Sequence, residues 1–299
     1  METVSAGERI TLKNILFLTD FSEASARALP YAAMMARAYG AKVTALHVVV
    51  PSAYTYMAAE MSATLLEAQG DTAKTEMGKV EAELGGLPRE AIIERNIGVW
   101  PVLKKLLQER EVDLIVLGTH GRTGLKKVVF GSTAEEVFRR TSVPVLTIGP
   151  GVRRNVNHDG RFQCVLFATD FNCVSSVAAS YAVSVAEENQ SRLAVLHVLP
   201  APKLGRGNKS VELSVAEALH QLGELLPSDA GLWCRPELAV AHGKPGAQIL
   251  ATAGRCEADL IVLGVRGMDT LTELVVRVDR AIAYEVVAHA GCPVLTFRG

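Results

Sequence analysis

Residues 113–133 have the sequence DLIVLGTHGRTGLKKVVFGST, and this stretch decides the fold. Its apolar start predicts a buried parallel strand, and the AEEVFRR that follows at 134–140 predicts a helix. Glycine lets a backbone approach an anion closely, and N–H groups at a helix start lack partners within the helix. The stretch therefore predicts a phosphate-binding turn between a strand and a helix.

The glycine spacing separates this turn from better-known phosphate loops. Gly118 and Gly121 are followed by nine residues and then Gly131-Ser132, so the pattern is Gly-x2-Gly-x9-Gly-Ser. A Walker A loop needs Gly-x4-Gly-Lys, and the dinucleotide fingerprint needs Gly-x-Gly-x2-Gly. The turn fits neither pattern.

One unit of about 150 residues occurs twice in the chain. The sequence FLTDF at 17–21 returns as FATDF at 167–171, and DLIVLG at 113–118 returns at 259–264. We therefore expect two domains, residues 1–150 and 151–299, joined by a polar linker near 149–160.

Alternating strands and helices predict an α/β fold, with a doubly wound, mainly parallel sheet in each half. In the first half we expect strands near 13–19, 42–49, 91–97, 113–118 and 143–148, and helices near 22–39, 60–84, 101–111 and 131–141. Ligands of such sheets bind beyond the carboxyl ends of the strands. Since Asp20, Val48 and the 118–132 turn follow such ends, we expect them to converge.

Composition excludes several classes of function. A net charge of −1 and a pI near 6.7 predict no binding to nucleic acid or to an anionic membrane. The first residues lack a basic region followed by an apolar one, and the five cysteines include no Cys-x2-Cys pair. These features predict a cytoplasmic location with reduced thiols.

Four passages in order along residues 13–148 resemble the universal stress protein family: NILFLTDFS at 14–22, LHV at 46–48, the glycine turn, and SVPVL at 142–146. The resemblance implies a five-stranded Rossmann-like sheet of the adenine nucleotide alpha-hydrolase-like type in each half. It also implies an ATP site. Carried over by position, the residues that flank adenine and ribose or hold the phosphates are Asp20, Val48, Gly118, Gly121, Gly131, Ser132 and Thr133.

Each of these residues also has a purely structural explanation. Asp20 is a possible helix N-cap, Val48 a core residue, the first glycines a tight turn, and Gly131-Ser132 a capped helix start. Arg122 is either a phosphate ligand or a solvated loop charge. For Lys126 and Lys127 we favour the solvated alternative.

The second half departs from the motif. It keeps Asp170, Val198 and the sequence GVRG at 264–267, but Gly-Ser is missing. Counting forward from Gly267 places Arg277-Val278 there, whereas counting back from Pro293 places Arg280-Ala281 there. We therefore expect one ATP site per chain, in the first half.

No catalytic constellation or metal cluster is evident, so we expect ATP hydrolysis to be slow if it occurs at all. Together with this expectation, the resemblance implies an ATP-binding regulatory or stress-response protein. Bound ATP, or ADP or AMP, would bias the binding of an unknown protein partner, with Mg²⁺ accompanying the phosphates. The alternatives are a scaffold without nucleotide, a slow ATPase or self-phosphorylating protein, and a flavodoxin-like carrier, which the glycine-free loop after the first strand disfavours.

The last strand of each half begins near a proline, at Pro144 and Pro293, as edge strands allow. Exposed edges invite pairing. We expect the two halves to pair through these edges as a pseudo-dimer, and the whole chain to form a homodimer.

Overall fold

The computed structural model describes residues 10–51, 59–119, 131–152, 160–172, 174–201, 208–227, 230, 236–266 and 273–298, with the backbone alone for 59–66, 208–213 and 273–280. The first half contains β1 (Asn14–Leu18), α1 (Glu23–Tyr39), β2 (Lys42–Val49), α2 (Ala59–Leu84), β3 (Arg89–Arg95), α3 (Val99–Glu109), β4 (Leu114–Gly118), α4 (Ser132–Arg140) and β5 (Val145–Ile148). The second contains β6 (Cys164–Thr169), α5 (Ser175–Asn189), β7 (Arg192–Leu199), α6 (Asn208–Leu225), β8 (Glu237–His242), α7 (Pro245–Arg255), β9 (Leu260–Val265), α8 (Glu273–His289) and β10 (Val294–Arg298).

Each half has the strand order of a doubly wound sheet. In the first half the order is β3-β2-β1-β4, and β5 begins beside β4, where the Ile115 N–H donates to the Pro144 carbonyl at 2.9 Å. In the second half the order is β10-β9-β6-β7-β8. The paired strands within each half are parallel, which confirms the predicted fold class.

Contacts between residues divide the chain into two compact units. One comprises Leu12–Val145, and the other comprises Leu146–Gly299 together with Met1–Thr11. The division falls a few residues before the predicted boundary after residue 150. The domain limits 1–150 and 151–299 therefore remain a proposal.

The central strands are buried because helices cover both faces of a parallel sheet. Ile15, Leu16 and Phe17 of β1 are fully buried, as are Val165, Leu166 and Phe167 at the matching positions of β6. The element bounds of the first half agree with the sequence to within one residue except at β3 and α3, which lie two residues earlier than predicted, and at β5, which begins two residues later, at Val145. The prediction extended the strand to Ile97, but this side chain is 81% exposed and follows the strand.

Helix α1 begins where the sequence predicts. Ser22 is its N-cap, and the Ser22 hydroxyl accepts from the Ser25 N–H at 3.3 Å. The helix continues through Pro30 to a left-handed Gly40 at its C-cap (φ 66°).

The repeated aspartate of DLIVLG has a structural role. The Asp113 carboxylate accepts from the N–H groups of Lys13 and Asn14, at 2.7 and 2.8 Å. Asp259 accepts in the same way from Gln163 and Cys164, at 2.6 and 3.2 Å. Each aspartate fixes the start of the first strand of its half, so its recurrence requires no ligand.

No helix in the described part of the chain is long and apolar enough to cross a bilayer.

Two cysteine side chains are buried, and burial favours the protonated form of their thiols. Cys164 and Cys292 are 1% and 7% exposed. Burial raises the pKa of each thiol from 9.0 to about 12, and the neighbouring Cys256 contributes to the shift at Cys164. Because both folded pKa values are raised, the stability contributed by the protonated thiols is present below pH 9 and is lost as pH rises through about 12.

We expect alkylation of Cys164 and Cys292 in the folded protein at pH 8 to be slower than in urea by on the order of 100-fold to 1000-fold, because the thiolate is the nucleophile and both thiols are buried. Labelling with iodoacetamide followed by peptide mass spectrometry measures each site. Cys256, which is only partly buried, is the internal control and should label faster than either. Equal rates for Cys164 in the folded and unfolded protein would contradict this account.

Candidate functional site

A cavity of about 260 Å³ lies at the carboxyl ends of β1, β2 and β4. Six of the eight residues predicted for the ligand site line it: Asp20, Val48, Gly118, Gly131, Ser132 and Thr133. The other two, Gly121 and Arg122, lie outside the described residues. The described residues therefore converge where parallel-sheet topology predicts.

Asp20 is held at the rim of this cavity by a tight turn. Its Oδ1 accepts from the Ser22 N–H at 3.0 Å, and the Phe21 N–H donates to Thr19 Oγ1 at 3.0 Å. Phe21 has a left-handed backbone, with φ 59°. Since Ser22 is the N-cap of α1, the N-cap explanation of Asp20 is wrong, and its carboxylate is instead part of a turn that faces the cavity.

His47 and His197 occupy matching positions in the two halves, and each contacts the turn that follows the first strand of its half. The His47 Nδ1 lies 2.8 Å from the Thr19 carbonyl oxygen, and its ring packs on Phe21 with the centroids 4.2 Å apart. In the second half His197 lies at the same 2.8 Å from Thr169 O, and its ring centroid is 4.4 Å from that of Phe171. The shared contacts explain the repeated histidine as a packing residue.

Gly118 is required by the approach of α1 to the end of β4. A Cβ on Gly118 would lie 2.5 Å from the Ala24 carbonyl oxygen, closer than real Cβ contacts come. At the equivalent Gly264 the nearest atom, the Val174 Cβ, would be 3.6 Å away, an ordinary contact. Gly118 thus brings the first turn of α1, and with it the Asp20 turn, against the cavity.

The opposite wall of the cavity is the start of α4. Gly131 precedes the helix with φ −60° and ψ 148°, and no side chain caps the helix there. By helix geometry, the N–H groups of Ser132, Thr133 and Ala134 have no acceptor inside the helix. The Gly131 N–H donates to the Thr119 carbonyl at 2.6 Å, which ties the helix start to the end of β4.

Several lining residues were not predicted from the sequence. They are Leu18, Thr19, Ser25, Leu46, Val99, Leu117, Thr119 and Ala134. Thr19 and Thr119 are buried hydroxyl residues that directly follow β1 and β4, so their place beside Asp20 and Gly118 was an available signal. Val99 is the first residue of α3. It was not predicted as a lining residue because the predicted helix began two residues later.

The second half has a smaller cavity, of about 90 Å³, at the carboxyl ends of β6, β7 and β9. Asp170 and Val198 line it at the positions of Asp20 and Val48. The Asp170 Oδ2 accepts from Arg266 at 2.6 Å, and Asp170 Oδ1 accepts from the Asn172 N–H at 3.1 Å. Arg266 therefore bonds the carboxylate of Asp170.

The residues that line the two cavities decide between the two alternative alignments of the second half. Ala134 lines the first cavity and Ala283 the second, which matches the count back from Pro293. The positions of Gly131, Ser132 and Thr133 are therefore taken by Arg280, Ala281 and Ile282. These residues lie inside α8, which begins at Glu273, so they do not open a helix.

Within the described residues no group of three or more His, Cys, Asp or Glu side chains could hold a metal ion.

Strand order and the position of the cavities define a doubly wound α/β protein with a cavity at the carboxyl ends of the strands in each half. The sequence profile of the universal stress protein family matches residues 11–149 and again residues 161–298. The chain belongs to the universal stress protein family and carries two tandem copies of its domain.

The chain is similar over nearly its whole length to one relative and over about half its length to another. A universal stress protein of Mycolicibacterium smegmatis is 27% identical over 296 residues, which span 95% of this chain and 96% of that protein. The protein MJ0531 of Methanocaldococcus jannaschii is 32% identical over 149 residues, or 46% of this chain and 81% of that protein. A solved universal stress protein from Archaeoglobus fulgidus shares the fold, with a TM-score of 0.68, 21% identity, and coverage of 96% of this chain and 97% of that one.

Proposed function

We propose that the first half binds one adenine nucleotide per chain, and that the bound nucleotide biases the binding of a protein partner. The observation that carries the proposal is the convergence of Asp20, Val48 and the Gly131-Ser132-Thr133 helix start around one cavity. The preferred ligand is ATP, although the same chemistry accepts ADP or AMP.

The cavity offers different chemistry at its two ends. Leu46, Val48 and Leu117 form an apolar wall on which a flat base can pack. Asp20 can accept hydrogen bonds from ribose hydroxyls or an exocyclic amine. The N–H groups at the start of α4 and the hydroxyls of Ser132 and Thr133 can donate to phosphate oxygens.

Other members of the family have been solved with nucleotides. One universal stress protein is in complex with cAMP, and one from Archaeoglobus fulgidus is in complex with dAMP. These complexes concern other proteins, and the proposal here rests on the cavity of this chain.

The remaining parts of the proposal follow from nucleotide binding. Mg²⁺ would be held mainly by phosphates and water. A nucleotide shifts a conformational equilibrium only if it binds the two states with different affinity, so the partner should prefer one nucleotide state. We place the protein in the cytoplasm and expect the whole chain to form a homodimer. Within each chain, we expect the two halves to pair through their last strands.

Asp20→Ala is expected to weaken ATP binding by about 10-fold to 100-fold, because a hydrogen bond to a charged group contributes about 1.5–3 kcal/mol. Asp170→Ala is the matched control, since Asp170 has the equivalent position in the second half. Calorimetric titration of ATP with Mg²⁺ into each variant measures the effect.

The control should bind ATP as the unaltered protein does. Equal weakening by Asp170→Ala, or ATP binding that is unaffected by Asp20→Ala, would contradict the assignment to the first half.

A further inference from the structure

A second pocket of the first half lies at the amino ends of β1 and β2, at the other end of these strands from the nucleotide cavity. It is bounded by the last turn of α3 and has a volume of about 270 Å³. Its lining residues belong to the described segments 10–51 and 59–119. An apolar cavity of about 150 Å³ holds benzene, so this pocket has room for a small organic molecule.

Strand pairing brings apolar and polar side chains together in this pocket. Leu16 of β1 is opposite Thr44 of β2, and Asn14 is opposite Lys42. Side chains two residues apart on a strand share a face, so Lys42 and Thr44 lie on the same face of the sheet. Leu106 of α3 belongs to the core cluster that includes Leu16. The pocket therefore combines apolar and polar walls.

The two cations of the pocket are Lys42 and Arg110, and both donate to the same oxygen. Lys42 Nζ lies 2.5 Å and Arg110 Nη1 lies 2.7 Å from Glu90 Oε2. The hydrogen bond from Arg110, and then that from Lys42, lowers the pKa of Glu90 from 4.5 to about 2, so this carboxylate is charged at neutral pH. Glu90 does not line the pocket, and the described lining residues carry two positive charges and no negative charge.

Most of the N–H groups of these two cations remain available to a ligand. An ammonium group has three N–H donors and a guanidinium group has five. Within the described part of the chain, Glu90 is the one hydrogen-bond partner of either side chain. Both cations also offset the partial negative charge at the carboxyl end of α3, but this interaction engages no further N–H group. The pocket therefore has an excess of donors, which favours a ligand that accepts hydrogen bonds.

Thr44 indicates the same kind of ligand. This residue is 6% exposed, and its hydroxyl forms no hydrogen bond with another described residue. Burying a hydroxyl without a partner costs stability, whereas valine has nearly the same shape and no polar atom. A purely structural role would therefore favour valine at this position of a strand. A ligand oxygen in the pocket would give the hydroxyl a partner.

The second half has different residues at the matching positions. Ala194 takes the place of Thr44, and Cys256 takes the place of Arg110 as the C-cap of its helix. The lysine is replaced by Arg192, whose Nη2 donates to the Cys256 carbonyl at 3.0 Å. The hydroxyl and one of the two cations are therefore specific to the first half, and Arg192 provides a matched control.

We propose that the pocket at the amino ends of β1 and β2 binds a small carboxylate with an apolar body. A carboxylate only accepts hydrogen bonds, and its two oxygens match the fork of the Arg110 guanidinium. The remaining Lys42 donors and the Thr44 hydroxyl would bond the same group, while the apolar body packs against Leu106 and Val112. Inorganic phosphate would engage the donors but would leave the apolar wall without a contact.

The test titrates hexanoate into the full-length protein by calorimetry, with 1-hexanol and inorganic phosphate as comparison probes. We expect one hexanoate per chain, bound at least about tenfold more tightly than either comparison probe, because hexanol lacks the charge and phosphate lacks the apolar body. Gly131→Arg, which blocks the proposed nucleotide site, should leave the affinity for hexanoate unchanged. Loss of hexanoate binding in that variant would place this ligand in the nucleotide cavity and overturn the proposal.

Two substitutions separate a ligand-binding role from a structural one. Lys42→Gln should weaken hexanoate binding by about tenfold, whereas the matched control Arg192→Gln should not change it. Thr44→Val should weaken binding by about fivefold or more. The urea midpoint of ligand-free Thr44→Val should nevertheless stay the same or rise, because the hydroxyl has no partner without the ligand. If circular dichroism shows that Lys42→Gln is unfolded, Arg110→Gln replaces it.

Four further results would contradict the proposal: no hexanoate binding, hexanol or phosphate binding as tight as hexanoate, equal effects of Lys42→Gln and Arg192→Gln, or an affinity that Thr44→Val leaves unchanged. A lower urea midpoint for ligand-free Thr44→Val would do the same, since the hydroxyl would then have a structural role. Failure of the nucleotide site is separately visible, because the unaltered protein would then bind no ATP.

Discussion

Gly118→Ala is expected to lower the free energy of unfolding by about 2–3 kcal/mol, as overpacking a close contact does. The added Cβ would lie 2.5 Å from the Ala24 carbonyl oxygen, and this atom belongs to the backbone of α1. A flexible side chain could rotate away, but here the first turn of the helix must move. Because that turn is continuous with the Asp20 turn, ATP binding should weaken in the same variant.

Gly264→Ala is the matched control for this prediction. The nearest atom to its Cβ would be 3.6 Å away, so we expect the free energy of unfolding to change by no more than about 0.5 kcal/mol. Urea unfolding followed by circular dichroism compares the two variants. If both substitutions destabilise the protein equally, the close approach of α1 to β4 is not what requires glycine at position 118.

Gly131→Arg is expected to reduce ATP affinity by at least about 100-fold. The side chain would occupy the space in front of the first N–H groups of α4, where the phosphates are proposed to bind. The backbone at Gly131 has φ −60° and ψ 148°, which any L-residue adopts, so the variant should fold normally.

Gly131→Ala separates the size of the side chain from the loss of glycine itself. A methyl group leaves the N–H groups accessible, so we expect less than about a tenfold loss of affinity. Calorimetric titration with ATP measures both variants. Wild-type affinity in Gly131→Arg would show that phosphates do not bind at this helix start.

The fold could be predicted from the sequence because its signals are periodic and repeated. Apolar runs such as 114–117 predict strands buried on both faces, and the return of TDF at 169–171 and of DLIVLG at 259–264 indicates two halves. The error at β3 and α3 arose because Ile97 continues an apolar pattern while lying outside the strand. A single exposed isoleucine is not distinguishable from a core residue by pattern alone.

The residues of the candidate site were predicted from the sequence, but some of the tertiary contacts that require them were not. Topology brings the carboxyl ends of neighbouring parallel strands together, which is why Asp20 and Ser132 line the same cavity. The need for glycine at 118 comes from the backbone of Ala24, far away in sequence, and no local motif encodes this contact. The Asp170–Arg266 pair and the early start of α8 likewise depend on tertiary structure.

The number of ATP molecules bound per chain tests the central claim most directly. Calorimetric titration of ATP with Mg²⁺ into the full-length protein should give one site per chain, and the site should disappear in Gly131→Arg. Two equivalent sites per chain, no binding, or one site that survives Gly131→Arg would contradict the assignment of a single nucleotide site to the first half.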